Sequence, residues 1–176
     1  NDLISKVEML YNSTNHYLPT SLVSTDLSGN TVTEVIYDQY DSNGNLQQYT
    51  TKDGIVTSII WGYNSTKPIA KVTGVSYSVV SALAADIISA SNADIDAGTE
   101  QILIGKLDIF RNAVHSLPRR DSQVTTYTYD PLIGVTSITP PSGIREIYKY
   151  DSANRLENIK DVNGKLLKEF KYNYKP

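Results

Sequence analysis

The side chains best suited to chemistry in this sequence are six aspartates, Asp38, Asp41, Asp53, Asp130, Asp151 and Asp161, and two histidines, His16 and His115. Paired carboxylates can exchange protons with a substrate or hold calcium through their oxygens. Each of these aspartates, however, stands in or beside a turn-like stretch, where Asp folds back onto its own backbone. No twelve-residue calcium loop can be written around any of them. His115 falls at the end of an apolar-periodic stretch, where a helix dipole favours it, and neither histidine has further ligands near it in sequence. The chain has no cysteine, which excludes thiol catalysis, cysteine zinc sites and disulfides. No Gly-x-Ser-x-Gly, phosphate loop or dinucleotide fingerprint occurs. No catalytic residue, metal ligand or cofactor is therefore expected, and the chain reads as non-enzymatic.

Trp61 and Tyr63 could stack on a sugar, which gives the alternative function of a surface glycan- or protein-binding module. The favoured reading packs both rings against neighbouring strands. Arg119-Arg120-Asp121 reads as a solvated basic loop, and Asn12-Ser13-Thr14 and Asn64-Ser65-Thr66 match the glycosylation sequon.

The elements that must position these residues show in one recurring spacing. Gly54 follows Tyr40-Asp41, Gly143 follows Tyr129-Asp130 and Gly164 follows Tyr150-Asp151, each Gly fourteen positions after its Tyr. A fixed period of about 20 residues marks a repeat in which each unit is one supersecondary element. Tyrosines also fall two apart, at Tyr127 and Tyr129, Tyr148 and Tyr150, and Tyr172 and Tyr174, so each pair shares a sheet face. Strands are expected at 18–24, 31–40, 46–51, 55–63, 124–129, 135–139, 144–150, 156–160 and 165–174, joined by Asp-led and Gly-ended turns. Gly54 and Gly164 are expected at positive φ. The fold class is mainly β, an antiparallel meander whose sheet is open or shell-forming.

The pattern stops at Ser78. Val79, Val80, Leu83, Ile87 and Ile88 recur at helical spacing behind Ser76 or Ser78, and Leu103, Leu107, Phe110 and Val114 form a second stripe. The division expected is a β-repeat region over 1–77, a helical hairpin over 78–117 that covers a sheet face or edge, and C-terminal hairpins over 118–176. The weakest edge is expected at 18–24, with Tyr172 and Tyr174 better covered.

The net charge of -3 is unevenly spread, with 6 basic and 12 acidic residues in 1–117 against 10 and 7 in 118–176. That excess is too thin for a nucleic-acid face. No apolar run approaches the ~18 residues of a membrane span. The chain opens at Asn1 without a signal peptide and is expected to be a piece of something longer.

Tyr148-Lys149-Tyr150-Asp151-Ser152-Ala153-Asn154-Arg155-Leu156, with the turn Asn163-Gly164, resembles the YD repeat of Rhs-type proteins. The stretch from Thr126 to Val135, which includes Tyr129-Asp130-Pro131, is similar to a variant near the end of very large bacterial YD-repeat proteins. The resemblance covers 36–64 and 123–174 well and 1–35 weakly. It implies a β-sheet that winds into a shell, which in toxin complexes encloses a C-terminal cargo. It further implies a secreted or cell-surface bacterial protein, with the type IX secretion route as one path of export. The partners it implies are upstream repeats of the same polypeptide and a secretion channel or surface protein. Asp130-Pro131 matches the dipeptide of self-cleaving Rhs sites but lacks companion acids in sequence, so no self-cleavage is expected. The motif residues Tyr40, Asp41, Gly54, Tyr129, Asp130, Gly143, Tyr150, Asp151, Arg155 and Gly164 are given structural roles.

Overall fold

The computed structural model describes residues 5–118 and 121–173; Arg119, Arg120 and Tyr174 lie outside the described residues. Eleven strands form one antiparallel sheet, each paired with its neighbour in sequence. They are β1 (Lys6–Leu10), β2 (Ser21–Thr25), β3 (Thr31–Tyr40), β4 (Leu46–Thr51), β5 (Val56–Gly62) and β6 (Lys67–Thr73). After the helices come β7 (Gln123–Asp130), β8 (Gly134–Thr139), β9 (Glu146–Tyr150), β10 (Leu156–Asp161) and β11 (Leu166–Glu169). The sheet is an open meander in which, among the described residues, β1 pairs only with β2, and β11 only with β10.

One turn chemistry recurs along it. Asp26, Asp41, Asp151 and Asp161 each accept, on one carboxylate oxygen, the backbone N–H groups two and four residues on, at 2.8–3.0 Å. The residue three positions on takes positive φ: Gly29 at 82°, Gly44 at 83°, Asn154 at 58° and Gly164 at 80°. The carboxylate satisfies donors that a tight turn cannot pair, and Gly or Asn supplies the left-handed residue. Gly54 turns at φ 75°, so both glycines expected at positive φ, Gly54 and Gly164, have that geometry.

Two strands go beyond the expected nine. The strand β1 occupies an edge, so the strand expected to be the weakest edge is instead β2, paired on both sides. The strand β6 is central, with Ile69, Ala70 and Val72 all fully buried. Pro68 argues against a strand there because proline cannot donate to the ladder. It is tolerated because the register slips by one residue where Trp61 faces it. At the other end the expected strand over 165–174 is only Leu166–Glu169, wholly exposed. Tyr172, expected to be better covered than the strand at 18–24, is 45% exposed, whereas β2 is half-buried throughout.

The helical segment is three helices rather than a hairpin: α1 (Tyr77–Ser81), α2 (Ala85–Asn92) and α3 (Ala97–His115). A break at 82–84 splits the first apolar stripe, burying Val80 and Ile87 but leaving Val79 41% exposed. The caps differ in the same way. Ser76 makes no side-chain cap bond, whereas Asp96 accepts from the N–H groups of Gly98 and Thr99, and Thr99 accepts back from the N–H of Asp96. Leu103, Leu107, Phe110 and Val114 are buried, as their spacing requires.

The helices α1 and α2 lie over β5, with α2 reaching β6, and α3 lies over β7. Every buried residue among those described falls between positions 57 and 139. The core is thus one helix layer on four strands, and the outer strands form a sheet a single layer thick.

Candidate functional surface: aromatic clasps and a polar inlay

The Tyr-Asp units share a contact that spacing alone does not reveal. Tyr40, at the end of β3, donates its hydroxyl to the Pro19 carbonyl just before β2. Tyr129 at the end of β7 reaches Pro68, Tyr150 at the end of β9 reaches Val135, and Tyr172 just past β11 reaches Leu156. Trp61 near the end of β5 does the same, its indole N–H donating to Leu46. All five bonds are 2.8 Å long, and each closes a strand's end onto the start of the strand before it. That start is where the ladder runs out of donors, so each clasp satisfies a carbonyl and contributes roughly 1 kcal/mol. Burial pushes the Tyr129 phenol up to about 12, and it raises Tyr40 and Tyr150 as well, so all three remain donors through neutral pH. Gly134, at φ 151°, lets the Tyr150 hydroxyl lie on the β8 backbone: a Cβ there would sit 2.9 Å from it.

The motif's Asp and Arg tie neighbouring units together. Asp151 accepts from Arg155 at 2.6 Å, and the Arg155 guanidinium lies 4.6 Å over the Tyr172 ring. The Arg155 hydrogen bond is the leading cause holding the Asp151 carboxyl below its ordinary range. In the first unit Asn45 takes the place of Arg, binding Asp41 and the Ser65 carbonyl. Gly143, at φ 81°, turns between β8 and β9.

Trp61 and Tyr63 do not line an open groove. Trp61 is half-buried with its N–H engaged, and Tyr63 is 6% exposed. Residues 63–65 form a turn in which Tyr63, Asn64 and Ser65 all take positive φ, at 49°, 56° and 62°. Such strain persists only where the surroundings fix it. The end of α2 does so: Ser91 Oγ accepts the Tyr63 N–H and Asn92 Oδ1 accepts that of Asn64.

Beneath the helices lies a polar inlay that sequence reasoning missed. Arg111 on α3 is 6% exposed and donates to the carbonyls of Val124, Thr139 and Pro140. Glu100, about three turns earlier on the same helix, accepts from the hydroxyls of Thr128 and Thr136. The Tyr63 hydroxyl donates to Asp94 at 2.6 Å and accepts the Tyr129 N–H at 2.9 Å. A recess of 490 Å³ at this end is lined by Asp94, Asp96 and Glu100 together with Asp130 and Pro131. Asp130 and Pro131 thus share a recess with three acids that are distant from them in sequence. No group of three such side chains among the described residues could hold a metal ion.

Burial raises the Asp94 carboxyl above 3.8, with Tyr63 opposing by hydrogen bonding and the Glu100 charge adding to the rise. The folded chain thus binds a proton there more tightly than the unfolded one. Asp94 therefore contributes stability below pH 3.8 that is lost as pH rises through the raised value. Asp94→Asn, which still accepts from Tyr63, is expected to flatten this decline. Urea unfolding of both proteins over a pH series checks it, and a stability difference that does not change with pH would contradict the assignment.

No family model and no curated protein matches the chain. Among solved structures, 94% of it aligns with TcdB2-TccC3 lacking the hypervariable C-terminal region, at 10% identity and a TM-score of 0.46. The TcdB2-TccC3-Cdc42 complex aligns over 94% at 11% identity and a TM-score of 0.47. The Photorhabdus luminescens Tc holotoxin pore aligns over 94% at 10% identity and a TM-score of 0.44. The chain spans 8% of the length of each of these matched chains.

Proposed function

We propose that this chain is a non-enzymatic structural segment of a larger bacterial protein of the YD-repeat type, secreted or held at the cell surface, whose hairpins add side by side into a wall or shell. The observation that carries this reading is the repeated clasp: five aromatic side chains lock the ends of alternate strands, from β3 to β11, by the same 2.8 Å bond. A unit that closes itself and leaves its edges open can be added to without altering its neighbours. The partners are adjacent repeats of the same polypeptide at the open edges, and a secretion channel or surface protein during export, with the type IX route as the path.

Two edge features support it. Val7 is 65% and Met9 44% exposed on one side of β1, and Leu166 and Leu167 are about half exposed on β11. Such edges invite strand pairing unless a neighbour takes them. Hydrogen exchange on this chain alone, and joined to its flanking repeats, tests the reading. The outward-facing amides of β1 are expected to slow by about tenfold or more in the longer protein. Equal exchange in the two would mean the sheet is self-contained, and the wall reading would fail.

A further inference from the structure

The helix layer stops short of the sheet it covers, and the place where it stops has a shape. The helices sit on alternate strands, α1 and α2 over β5 and α3 over β7. Two strands span about 10 Å, the width at which helices pack side by side. The next position in the layer lies over β9, and no helix among the described residues occupies it. A groove runs there along the flank of α3, formed by three recesses that merge through shared walls. Ala97, Glu100 and Thr136 line both the first and the second, and Arg145 and Val162 line both the second and the third.

Helix and sheet build this groove together. Glu100 bonds to Thr128 and Thr136 while Arg111 bonds to Val124 and Thr139, so α3 runs along the strands and antiparallel to β7. The groove therefore extends for much of the 19-residue helix, about 28 Å. Its apolar side chains are Ile104, Ile147, Ile144 and Val162, the last two 64% and 59% exposed.

The groove is also polar end to end. Around the start of α3 stand Asp94, Asp96, Glu100 and Asp130, and the first cations met along the groove are Lys149 and Arg145, in the middle recess. Around its end stand Arg111, Arg145 and His115, with Asp108 as the one carboxylate, bound to Arg145 at 2.6 Å. A ligand that fits must carry negative charge at the Arg111 end and positive charge at the Glu100 end. Helices prefer acidic residues in their first turn and basic ones in their last. That preference matches this groove only if the occupant starts beside Arg111 and runs antiparallel to α3.

We propose that the groove beside α3 is the docking site for an amphipathic helix of a partner protein, antiparallel to α3, acidic at its start and basic at its end. The occupant continues the layer, covers Ile147 of β9 with Ile144 and Val162 beside it, and sets opposite charge against each end of the groove. The site is independent of the sheet edges on which the wall reading rests.

The probe is a synthetic helical peptide of roughly four to five turns, the length of the groove, with an Ile and Leu stripe, acidic residues in its first turn and basic ones in its last. A second peptide keeps the stripe and exchanges the two charged ends. Fluorescence anisotropy against the intact chain is expected to show the first binding about tenfold tighter than the second. Gln101→Lys/Asn112→Glu, at two exposed positions of α3, reverses charge at both poles and is expected to remove that preference. Ile147→Asp, checked for native circular dichroism, is expected to weaken both peptides together. The proposal is overturned if neither peptide binds, if both bind equally, or if the double variant keeps the original preference.

Discussion

Gly62→Ala is expected to destabilise the chain by about 3 kcal/mol, lowering the midpoint of thermal unfolding by about 10 °C. Gly62 is buried where β5 meets α2, and a Cβ there would stand 2.2 Å from Ser91 Oγ and 2.8–2.9 Å from two carbons of Ile69. Neither neighbour can yield cheaply. Ser91 Oγ holds the Tyr63 N–H and donates to the Ile88 carbonyl, and Ile69 is fully buried. Accommodating the methyl group therefore lifts α2 from the sheet and releases the strained turn at 63–65. The double variant Gly62→Ala/Ser91→Gly removes the worst overlap and is expected to recover part of the loss, a non-additive result that only direct contact gives. A Gly62→Ala protein within about 0.5 kcal/mol of the parent would show that the interface yields freely.

Leu103→Ala is expected to cost about 3–4 kcal/mol, because Leu103 is fully buried under α3 and the cavity cannot collapse onto a strand-backed wall. The same truncation at Leu166, half exposed on β11, is expected to cost less than about 0.5 kcal/mol. The contrast tests whether the core is confined to the stretch between 57 and 139. Denaturant unfolding of the two variants reads it, and a Leu166→Ala loss as large as that of Leu103→Ala would reveal a second core in the outer strands.

Most of the strand order was legible because meander hairpins are local. Thr31–Tyr40 and Leu46–Thr51 lie where alternation and turn residues place them. The strand β6 was not legible, since Pro68 hides it and the register slip that tolerates proline is a property of the pair. The role of Trp61 had a signal: it follows Leu46 at the same distance as Tyr150 follows Val135. Glu100 and Arg111 had none. Charged residues at helical spacing read as a solvated face, and only the Thr-rich strands beneath α3, distant in sequence, turn them inward. The break at 82–84 was hidden for a similar reason, because Ala82 and Ala84 are good helix formers and packing on β5 overrides their propensity.

The helices enter the chain between two strands that must still find each other, and this sets a timetable. Every other ladder joins segments close in sequence, but β6 and β7 pair with Ala70 opposite Thr126 across the whole helical excursion. Hairpins close in microseconds, whereas a long loop loses more entropy before its contacts form. The two flanking meanders therefore have short searches and the β6–β7 seam a long one, so the seam governs the rate at which the native sheet appears. During synthesis the first six strands can assemble while the helices are still being made. The edge of β6 then stays unpaired until β7 arrives, and in that interval the nascent chain is most exposed to mispairing.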